Sequence, residues 1–397
     1  MLLPPNSWAE LHTQLQHFEA APWLALDYET TGLDVVGDDL AVGVGLATPT
    51  EAVYVPFDGA GPSTLLGLHE WLQSRRLVGH NVCFDGLVFQ QFCPNAFPWV
   101  ADTYSLFRWL ATEDWLGQSW SLKTAMVDLL GWDAPNTAEL DAWLKANKLS
   151  KAELHRAPTE VLGRYCALDA GATAQLYAYF QTVLAKYPRL KSYAENEGLT
   201  VLKHSLTQTV VGQTIDRPKL EAYQTKLAAG IQDLEQQFLS HPKVAWAVEV
   251  YNGWQHDAWH ESRPPELTKA GKQTARYSKW LEKEKDVLST QHFNVNSKQQ
   301  LVWLFYEHLH QVDGGTLLVG LDGVEVPLTK GGGYSVDKNA LGYFGEPGNL
   351  LLKYNDANTE LKFVVACLER SARDGKLHVS LKVPGTSTGR LSGGSVE

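Results

Sequence analysis

A short apolar run that ends in two carboxylates, "PWLALDYET", constrains this chain more than any other segment. Its composition predicts a buried strand, in which side chains two residues apart face the same side, so Asp27 and Glu29 point together. Carboxylates beside apolar residues are costly unless something balances their charge. The segment therefore predicts a strand that delivers two acidic groups to a specific partner.

Two later blocks carry further acidic groups. Asp85 opens an apolar run in "LVGHNVCFDGLVF" that predicts a helix start, and "RYCALDAGATAQLY" places Tyr165 and Asp169 four residues apart on one helix face. Taken singly, the three blocks also fit a solvated strand edge, a helix N-cap and an ordinary helix surface. Taken together, they offer the oxygen ligands that hard divalent cations prefer. Two such ions, roughly 3.5–4 Å apart, can clamp both reacting oxygens of a phosphodiester.

The three blocks resemble, in order and local context, the motifs of the DEDD 3′–5′ exonucleases with tyrosine in the third motif. "GHNVCFDGLVF" is similar to the second motif, and "SLKTAMVDLLGW" is similar to the stretch that follows it. The resemblance spans roughly residues 20–182. It implies an α/β fold of the ribonuclease-H-like type, with a mixed sheet that carries the metal site.

The resemblance also implies roles for single residues. Asp27 would bridge two Mg²⁺ or Mn²⁺ ions, Glu29 and Asp169 would complete the ion that activates water, and Asp85 would hold the other. Tyr165 would orient the attacking water. The positions that would hold the 3′-terminal nucleotide are Thr30, Leu33, Asn81 and Phe84. For Leu33 and Phe84, core packing explains the sequence equally well.

Composition limits the class of protein. The 397 residues are 44% hydrophobic and 20% charged, which predicts a globular chain with two or three domains. No apolar run approaches 18 residues and the start lacks a signal-peptide pattern, so we expect a cytoplasmic protein without a membrane segment, in the host cell if phage-encoded. The four cysteines lack zinc or disulfide spacing and are expected to be core thiols.

The net charge of −11 is unevenly distributed along the chain. Residues 1–190 carry 11 Lys/Arg against 21 Asp/Glu, whereas the remainder is nearly balanced. Basic residues gather in "LTKAGKQTARYSKWLEKEK", and these fit either a solvated helix face or a contact to the DNA backbone. The residues assigned to that contact are Lys272, Arg276 and Lys279.

Helical patterns dominate from about residue 195. Residues 245–275, which contain tryptophans, histidines and a proline pair, are predicted to form a loop or small insertion. The following "FNVNSKQQLVWLFYEHL" predicts a helix capped by Asn296 or Ser297.

A second resemblance covers this half. "VVGQTID", "FNVNSKQQL", "PLTKGGGYSVD", "LLLKYNDANTELKFVVACL" and "HVSLKVPGTSTGRLSGG" are similar, in order, to the thumb region of family A DNA polymerases and the stretch before their first palm motif. It implies a mainly helical thumb-like region at 191–397, after an exonuclease domain at 1–190. Arg390 would reach a DNA phosphate.

The family's palm and fingers motifs lie past the last residue of this sequence. We therefore expect the N-terminal portion of a split or truncated phage-type polymerase, which works with a second polypeptide that carries palm and fingers. Residues 351–397 would leave an apolar surface for that partner, and their Gly- and Ser-rich tail would be mobile alone. The expected ligands are a single-stranded 3′ end and a primer–template duplex.

Three functions compete. The first is a proofreading DNA exonuclease, with a free-standing enzyme as a variant of it. The second is a ribonuclease-D-like RNA exonuclease, which shares the five-residue site but lacks the thumb-like half. The third is a non-catalytic assembly subunit, against which the intact acidic set argues.

Overall fold

The computed structural model describes residues 2–3, 7–110, 119–133, 137–267, 272–289, 293–309, 328–329, 331–384 and 391–393. The chain forms two compact units, one of Met1–Thr214 with Lys376–Glu397 and one of Ile215–Gly375. Within the described ranges, no helix has the length and apolar composition that crossing a membrane requires.

The first unit is built on a mixed sheet. Its strands are β1 (Leu24–Thr30), β2 (Ala41–Ala47), β3 (Ala52–Pro56), β4 (Leu77–Gly79) and β5 (Trp99–Asp102), in the spatial order β3–β2–β1–β4–β5. The β1–β2 and β2–β3 pairs are antiparallel, and the β1–β4 and β4–β5 pairs are parallel. This arrangement confirms the predicted α/β fold with a mixed sheet.

Helices surround this sheet. They are α1 (Trp8–Leu15), α2 (Pro62–Gln73), α3 (Val82–Phe92), α4 (Thr103–Leu110), α5 (Leu122–Asp128), α6 (Ala138–Ala146), α7 (Thr159–Leu184), α8 (Pro188–Tyr193) and α9 (Leu199–Val211), with 3₁₀ turns at Gln16–Phe18 and Lys151–Arg156 and a π turn at Ala194–Gly198. Short strand pairs join β6 (Gln213–Thr214) to β7 (Lys376–Leu377) and β8 (Leu381–Lys382) to β9 (Ser392–Gly393).

Small residues let α7 lie directly on the sheet. A Cβ atom added to Gly45 would lie 2.8 Å from the carbonyl oxygen of Cys166, so a side chain on β2 would push the helix away. A cluster of four buried alanines continues this close packing, two from the sheet and two from the helix: Ala25, Ala47, Ala170 and Ala174. The close approach fixes the distance between side chains on β1 and side chains on α7.

The compact units divide the chain differently from the predicted boundary at 190/191. Helix α9 packs on α3, where Leu206 joins the core under the sheet. The C-terminal segment returns to the same unit, since the Thr209 hydroxyl donates a hydrogen bond of 2.9 Å to the Val379 carbonyl and Leu202 packs on Val383. These contacts join segments far apart in sequence, which local patterns do not reveal.

The second unit is mainly helical, as predicted. Its helices are α10 (Arg217–Ser240), α11 (Pro242–Glu261), α12 (Ala275–Ser289), α13 (Lys298–Val302), α14 (Lys338–Leu341) and α15 (Gly345–Arg370), with a π turn at Trp303–His308 and a 3₁₀ turn at Gly342–Phe344. Helices α10 and α15 pack together around Ile231, Phe238, Leu351 and Tyr354. The Ser297 side chain caps α13, which confirms one of the two predicted caps.

The predicted loop or insertion at 245–275 is wrong over most of its length. Helix α11 continues to Glu261, and of the residues described between it and α12, 262–267 and 272–274, none is helical. Tryptophan does not break a helix, and here the rings have helical partners, since Trp259 stacks on Trp280 of α12 with ring centroids 3.9 Å apart. The helix ends shortly before the Pro264–Pro265 pair, because proline cannot donate the helical hydrogen bond.

Candidate active site

Strand β1 presents both of its carboxylates to α7. Asp27 pairs in register with Gly45 and Glu29 with Gly43, so the neighbouring strand has no side chains on this face. Glu29 is buried, whereas Asp27 is only partly buried. The two carboxylates therefore lie in a recess between β1 and α7, and the exposed part of Asp27 leaves that recess accessible from solvent.

Helix α7 supplies the other half of the site. Asp169 is buried, and Tyr165 is partly buried and lies close enough for the charges of Asp169, Glu29 and Asp27 to act on its hydroxyl. The intervening Cys166 donates its thiol to the Asp27 carbonyl oxygen, with a sulfur–oxygen distance of 3.3 Å, and lies 3.6 Å from Asp27 Oδ2. Potential ligand atoms of Asp27, Glu29 and Cys166 lie within 4.8 Å of one another.

Helix α3 supplies Asp85. It is buried, and its Oδ1 accepts a 2.9 Å hydrogen bond from the backbone N–H of Tyr28. That bond fixes the carboxylate against the strand that carries Asp27 and Glu29. The charges of Asp85 and Asp169 each raise the pKa of Asp27, so the four carboxylates form one electrostatic group.

A lysine that the sequence analysis did not select is part of this group. Lys123, in the first turn of α5, forms an ion pair with Asp169. Its ammonium also lies 4.4 Å from the centre of the Tyr165 ring. Its positive charge lowers the pKa of Asp27 and of Glu29, opposing the effects of burial and of the neighbouring carboxylates.

Three of these carboxylates, Asp27, Glu29 and Asp85, nevertheless have raised pKa values. Burial is the largest cause and raises the pKa of Asp27 and Glu29 well above the ordinary range, and mutual repulsion adds to it. Burial raises the pKa of Asp85 to about 7, despite the opposing hydrogen bond from Tyr28. Burial and the same carboxylates raise the pKa of the Tyr165 hydroxyl, which therefore stays protonated at neutral pH.

This donor set fits divalent cations. Buried carboxylates that repel one another become stable as anions when a cation lies among them, and oxygen donors are those that Mg²⁺ and Mn²⁺ prefer. The structure thus contains an acidic site that suits metal ions. Cys166 adds a softer sulfur donor, which the sequence analysis had assigned only to core packing.

The predicted nucleotide-binding residues have different environments. Leu33 is 70% exposed, and Asn81, also exposed, precedes α3 in a left-handed backbone conformation. Phe84 is half-buried against the core, whereas the buried Thr30 donates its hydroxyl to the Gly32 carbonyl at 2.6 Å. Their binding roles stay predictions.

A buried acid that sequence reasoning missed supports Asn81. Asp102, at the end of β5, accepts hydrogen bonds from the backbone N–H of Asn81 at 2.8 Å and of Tyr104 at 3.1 Å, and from the Ser105 hydroxyl at 2.7 Å. Although burial raises its pKa, these three donors oppose that effect. Asp102 therefore holds a strained backbone position rather than adding a ligand to the acidic group.

The basic residues assigned to the DNA backbone lie in the second unit. Lys272, Arg276 and Lys279 are exposed, the last two within one turn of α12. Exposure fits both the DNA contact and the solvated helix face. Arg390 lies outside the described residues, as does most of the predicted mobile tail at residues 385–390 and 394–397.

The expected apolar partner surface at residues 351–397 is present only in part. Phe363 on α15 is 67% exposed, but Val364 and Leu368 are buried within the unit. Some apolar residues of α15 thus face the core of the second unit, and others are exposed. A partner at this surface stays a prediction.

Some missed residues left a signal in the sequence. Lys123 is the only Lys or Arg between Arg108 and Lys145, a stretch rich in acidic residues, and it lies in the "SLKTAMVDLLGW" segment. Asp102 follows a short apolar run in the sequence, as Asp27 does. Cys166 had no comparable signal, since a thiol in a helix is usually a core residue.

Comparison with known proteins relates the first part of the chain to exonucleases. Residues 6–185 match the family model DNA_pol_A_exo1, described as 3′–5′ exonuclease. The chain is 27% identical over 177 residues to DNA polymerase DpoZ of Salmonella phage PMBT28, a match that covers 41% of this chain and 27% of that protein. It thus spans less than a third of this relative.

A solved structure resembles nearly the whole chain. The POL domain of Pol1 from M. smegmatis, in complex with DNA primer–template and dNTP, matches with a TM-score of 0.59 and 18% identity. The match covers 98% of this chain and 54% of that one. At this identity the likeness shows a shared fold, and it extends through both compact units.

Proposed function

We propose that this protein removes nucleotides from DNA 3′ ends in a metal-dependent reaction. Its residues 6–185 are a 3′–5′ exonuclease domain of the family A DNA polymerase type. The observation that carries the proposal is the convergence of Asp27, Glu29, Asp85 and Asp169 on one recess beside Tyr165. The products would be nucleoside 5′-monophosphates, and the biological role would be proofreading.

The four carboxylates would hold two divalent ions, Mg²⁺ or Mn²⁺. When bound, such ions supply Lewis acidity and a water that is easier to deprotonate. Asp27, which is partly exposed, lies between the remaining acidic groups and suits a shared ligand. The hydrogen bond from Tyr28 fixes Asp85, and α7 fixes Asp169, so the ligands are held before any ion enters.

Tyr165 would position water rather than accept its proton. A hydroxyl whose pKa is raised above its usual value of 10 remains a hydrogen-bond donor at neutral pH and is a poor base. Its ring is held beside Lys123, so the hydroxyl has a defined direction. Thr30, Leu33, Asn81 and Phe84 would receive the terminal nucleotide.

A cavity next to the site offers space for part of the substrate. It has a volume of about 380 Å³, and Thr31, Val42, Phe57, His155 and Leu162 are among its lining residues. Leu162 belongs to α7, one turn before Tyr165. Its lining combines apolar side chains with the Asp58 carboxylate, and a negative charge there suits a nucleotide base or sugar better than a phosphate.

The wider role is that of the exonuclease and thumb-like portion of a polymerase. This is supported by the fold likeness over both units and by the matched relative, which is itself a phage DNA polymerase. Lys272, Arg276, Lys279 and Arg390 would contact primer–template backbone, and palm and fingers would be supplied by a further polypeptide segment. Such a protein, if phage-encoded, would act in the host cytoplasm.

The test uses a 5′-labelled single-stranded oligonucleotide with Mg²⁺ or Mn²⁺. Asp27→Asn keeps the shape of the side chain but removes its charge, and should lower the rate by several orders of magnitude. Asp128→Asn is the matched control, because Asp128 is exposed on α5 and should leave the rate unchanged. Full activity of Asp27→Asn, or no trimming by the wild type with either ion, would refute the proposal.

An RNA oligonucleotide of the same sequence distinguishes the second candidate. Faster trimming of RNA than of DNA would favour the ribonuclease-D-like function. Co-expression with a palm-and-fingers polypeptide tests the wider role, since a complex with polymerase activity absent from either part is the expected result.

A further inference from the structure

Lys123 is held in place by the packing of its helix and by the contacts of its ammonium group. Helix α5 is capped by Ser121 and anchored through Leu122, Ala125 and Met126, which pack against apolar residues of α7. This packing directs the Lys123 side chain toward Asp169 and the Tyr165 ring. The lysine is 24% exposed and Asp169 only 8%, so the pair is shielded from water.

The surrounding charge explains why a lysine is useful here. Four carboxylates share the recess, and for Asp27 and Glu29 both burial and repulsion by the neighbouring carboxylates disfavour the charged form. Lys123 opposes that repulsion at Asp27 and Glu29 as well as pairing with Asp169. The fixed ammonium of Lys123 therefore balances the negative charge of the carboxylates, as a bound metal ion would.

We propose that Lys123 is the resident counter-ion of the carboxylate site, which stabilises the metal-free protein and must release Asp169 when a divalent ion takes that carboxylate. This inference rests on the proposed function, because it takes Asp169 to be a metal ligand. Lys123 is thus a positioning residue that lowers the affinity of the site for metal ions and stabilises the metal-free protein.

The inference predicts two opposite effects from one substitution. Lys123→Met keeps the length and apolar stem of the side chain but removes its charge. The metal-free protein should melt roughly 3–6 °C lower, because the carboxylates lose their counter-ion. Its affinity for Mn²⁺ should rise about tenfold, because the ion no longer competes with an ammonium for Asp169.

The measurements are thermal unfolding in EDTA and in saturating Mn²⁺, and titration calorimetry with Mn²⁺ alone, all at pH 8.5. Saturating Mn²⁺ should erase the melting deficit of Lys123→Met, since tighter binding stabilises the variant more than the wild type. Lys123→Arg keeps the charge and should restore wild-type behaviour in both measurements. Lys151→Met is the matched control, because Lys151 pairs with Asp141 at 3.4 Å but is 76% exposed, and such surface pairs contribute little.

A merely structural lysine would give a different pattern. Lys123→Met would then melt lower to the same extent with and without Mn²⁺, and its affinity for the ion would be unchanged or weaker; that result would overturn the inference. A wild-type protein that binds Mn²⁺ yet trims no 3′ ends would refute the proposed function instead. The ratio of the two Mn²⁺ affinities would still decide the role of Lys123.

Discussion

Asp85→Asn should make the metal-free protein more stable at alkaline pH. Asp85 is 3% exposed, and burial raises its pKa from 3.8 to about 7. An acid with a raised pKa in the folded state holds more protons there than in the unfolded chain between these two values. The free energy of unfolding must therefore fall as pH rises through this range.

The size of the effect follows from the shift. A difference of about 3 units at about 1.4 kcal/mol each corresponds to roughly 4 kcal/mol, almost all of it present by pH 8 and little of it at pH 4. Asparagine retains a carbonyl oxygen that can accept the 2.9 Å hydrogen bond from Tyr28 but carries no charge. The variant should therefore match the wild type near pH 4 and exceed it by up to about 4 kcal/mol at pH 8.

Urea unfolding in EDTA, repeated at intervals from pH 4 to pH 8.5, measures this difference directly. Saturating Mg²⁺ should reverse the order at pH 8, because the ion stabilises a carboxylate that asparagine lacks. A stability difference that is constant across this pH range in EDTA would show that Asp85 does not titrate as its burial requires. The electrostatic account of the site would then fail.

Two further substitutions test the assigned roles. Tyr165→Phe keeps the ring beside Lys123 and should lower turnover by about 10–100-fold while leaving Mn²⁺ affinity unchanged, as single-turnover kinetics and calorimetry would show; a loss of affinity as large as that of Asp169→Ala would contradict a water-positioning role. Charge reversal to Glu at Lys272, Arg276 and Lys279 should weaken duplex binding and reduce its salt dependence by about one unit of slope per lost contact. Trimming of short single strands should be retained. Unchanged duplex affinity would show that these residues form a solvated helix face.

Much of the candidate site could be predicted because it is encoded locally. A two-residue period places Asp27 and Glu29 on one face of β1, and a four-residue period places Tyr165 and Asp169 on one face of α7. The same local patterns predicted the strands and the helical second half. They failed at residues 245–275, where the tryptophans that suggested a loop are packed against helical neighbours instead.

The contacts that complete the site could not be predicted in this way. Lys123 and Asp169 are 46 residues apart, and Asp102 meets Asn81 across two neighbouring strands. The return of residues 376–384 to the first unit likewise depends on contacts across more than 160 residues. No periodicity links such positions, since their proximity exists only after the sheet and helices have packed.

The sequence by itself determined which acidic groups belong together, because chain periodicity fixes which side of a strand or helix each side chain faces. Only the tertiary structure decided how those groups are balanced. The glycine and alanine contacts between the sheet and α7 set how closely the carboxylates approach, and burial together with that closeness raises the pKa of Asp27 and of Glu29. Helix packing then brings Lys123 to them, and burial gives each of these charges its strength, because water no longer screens it.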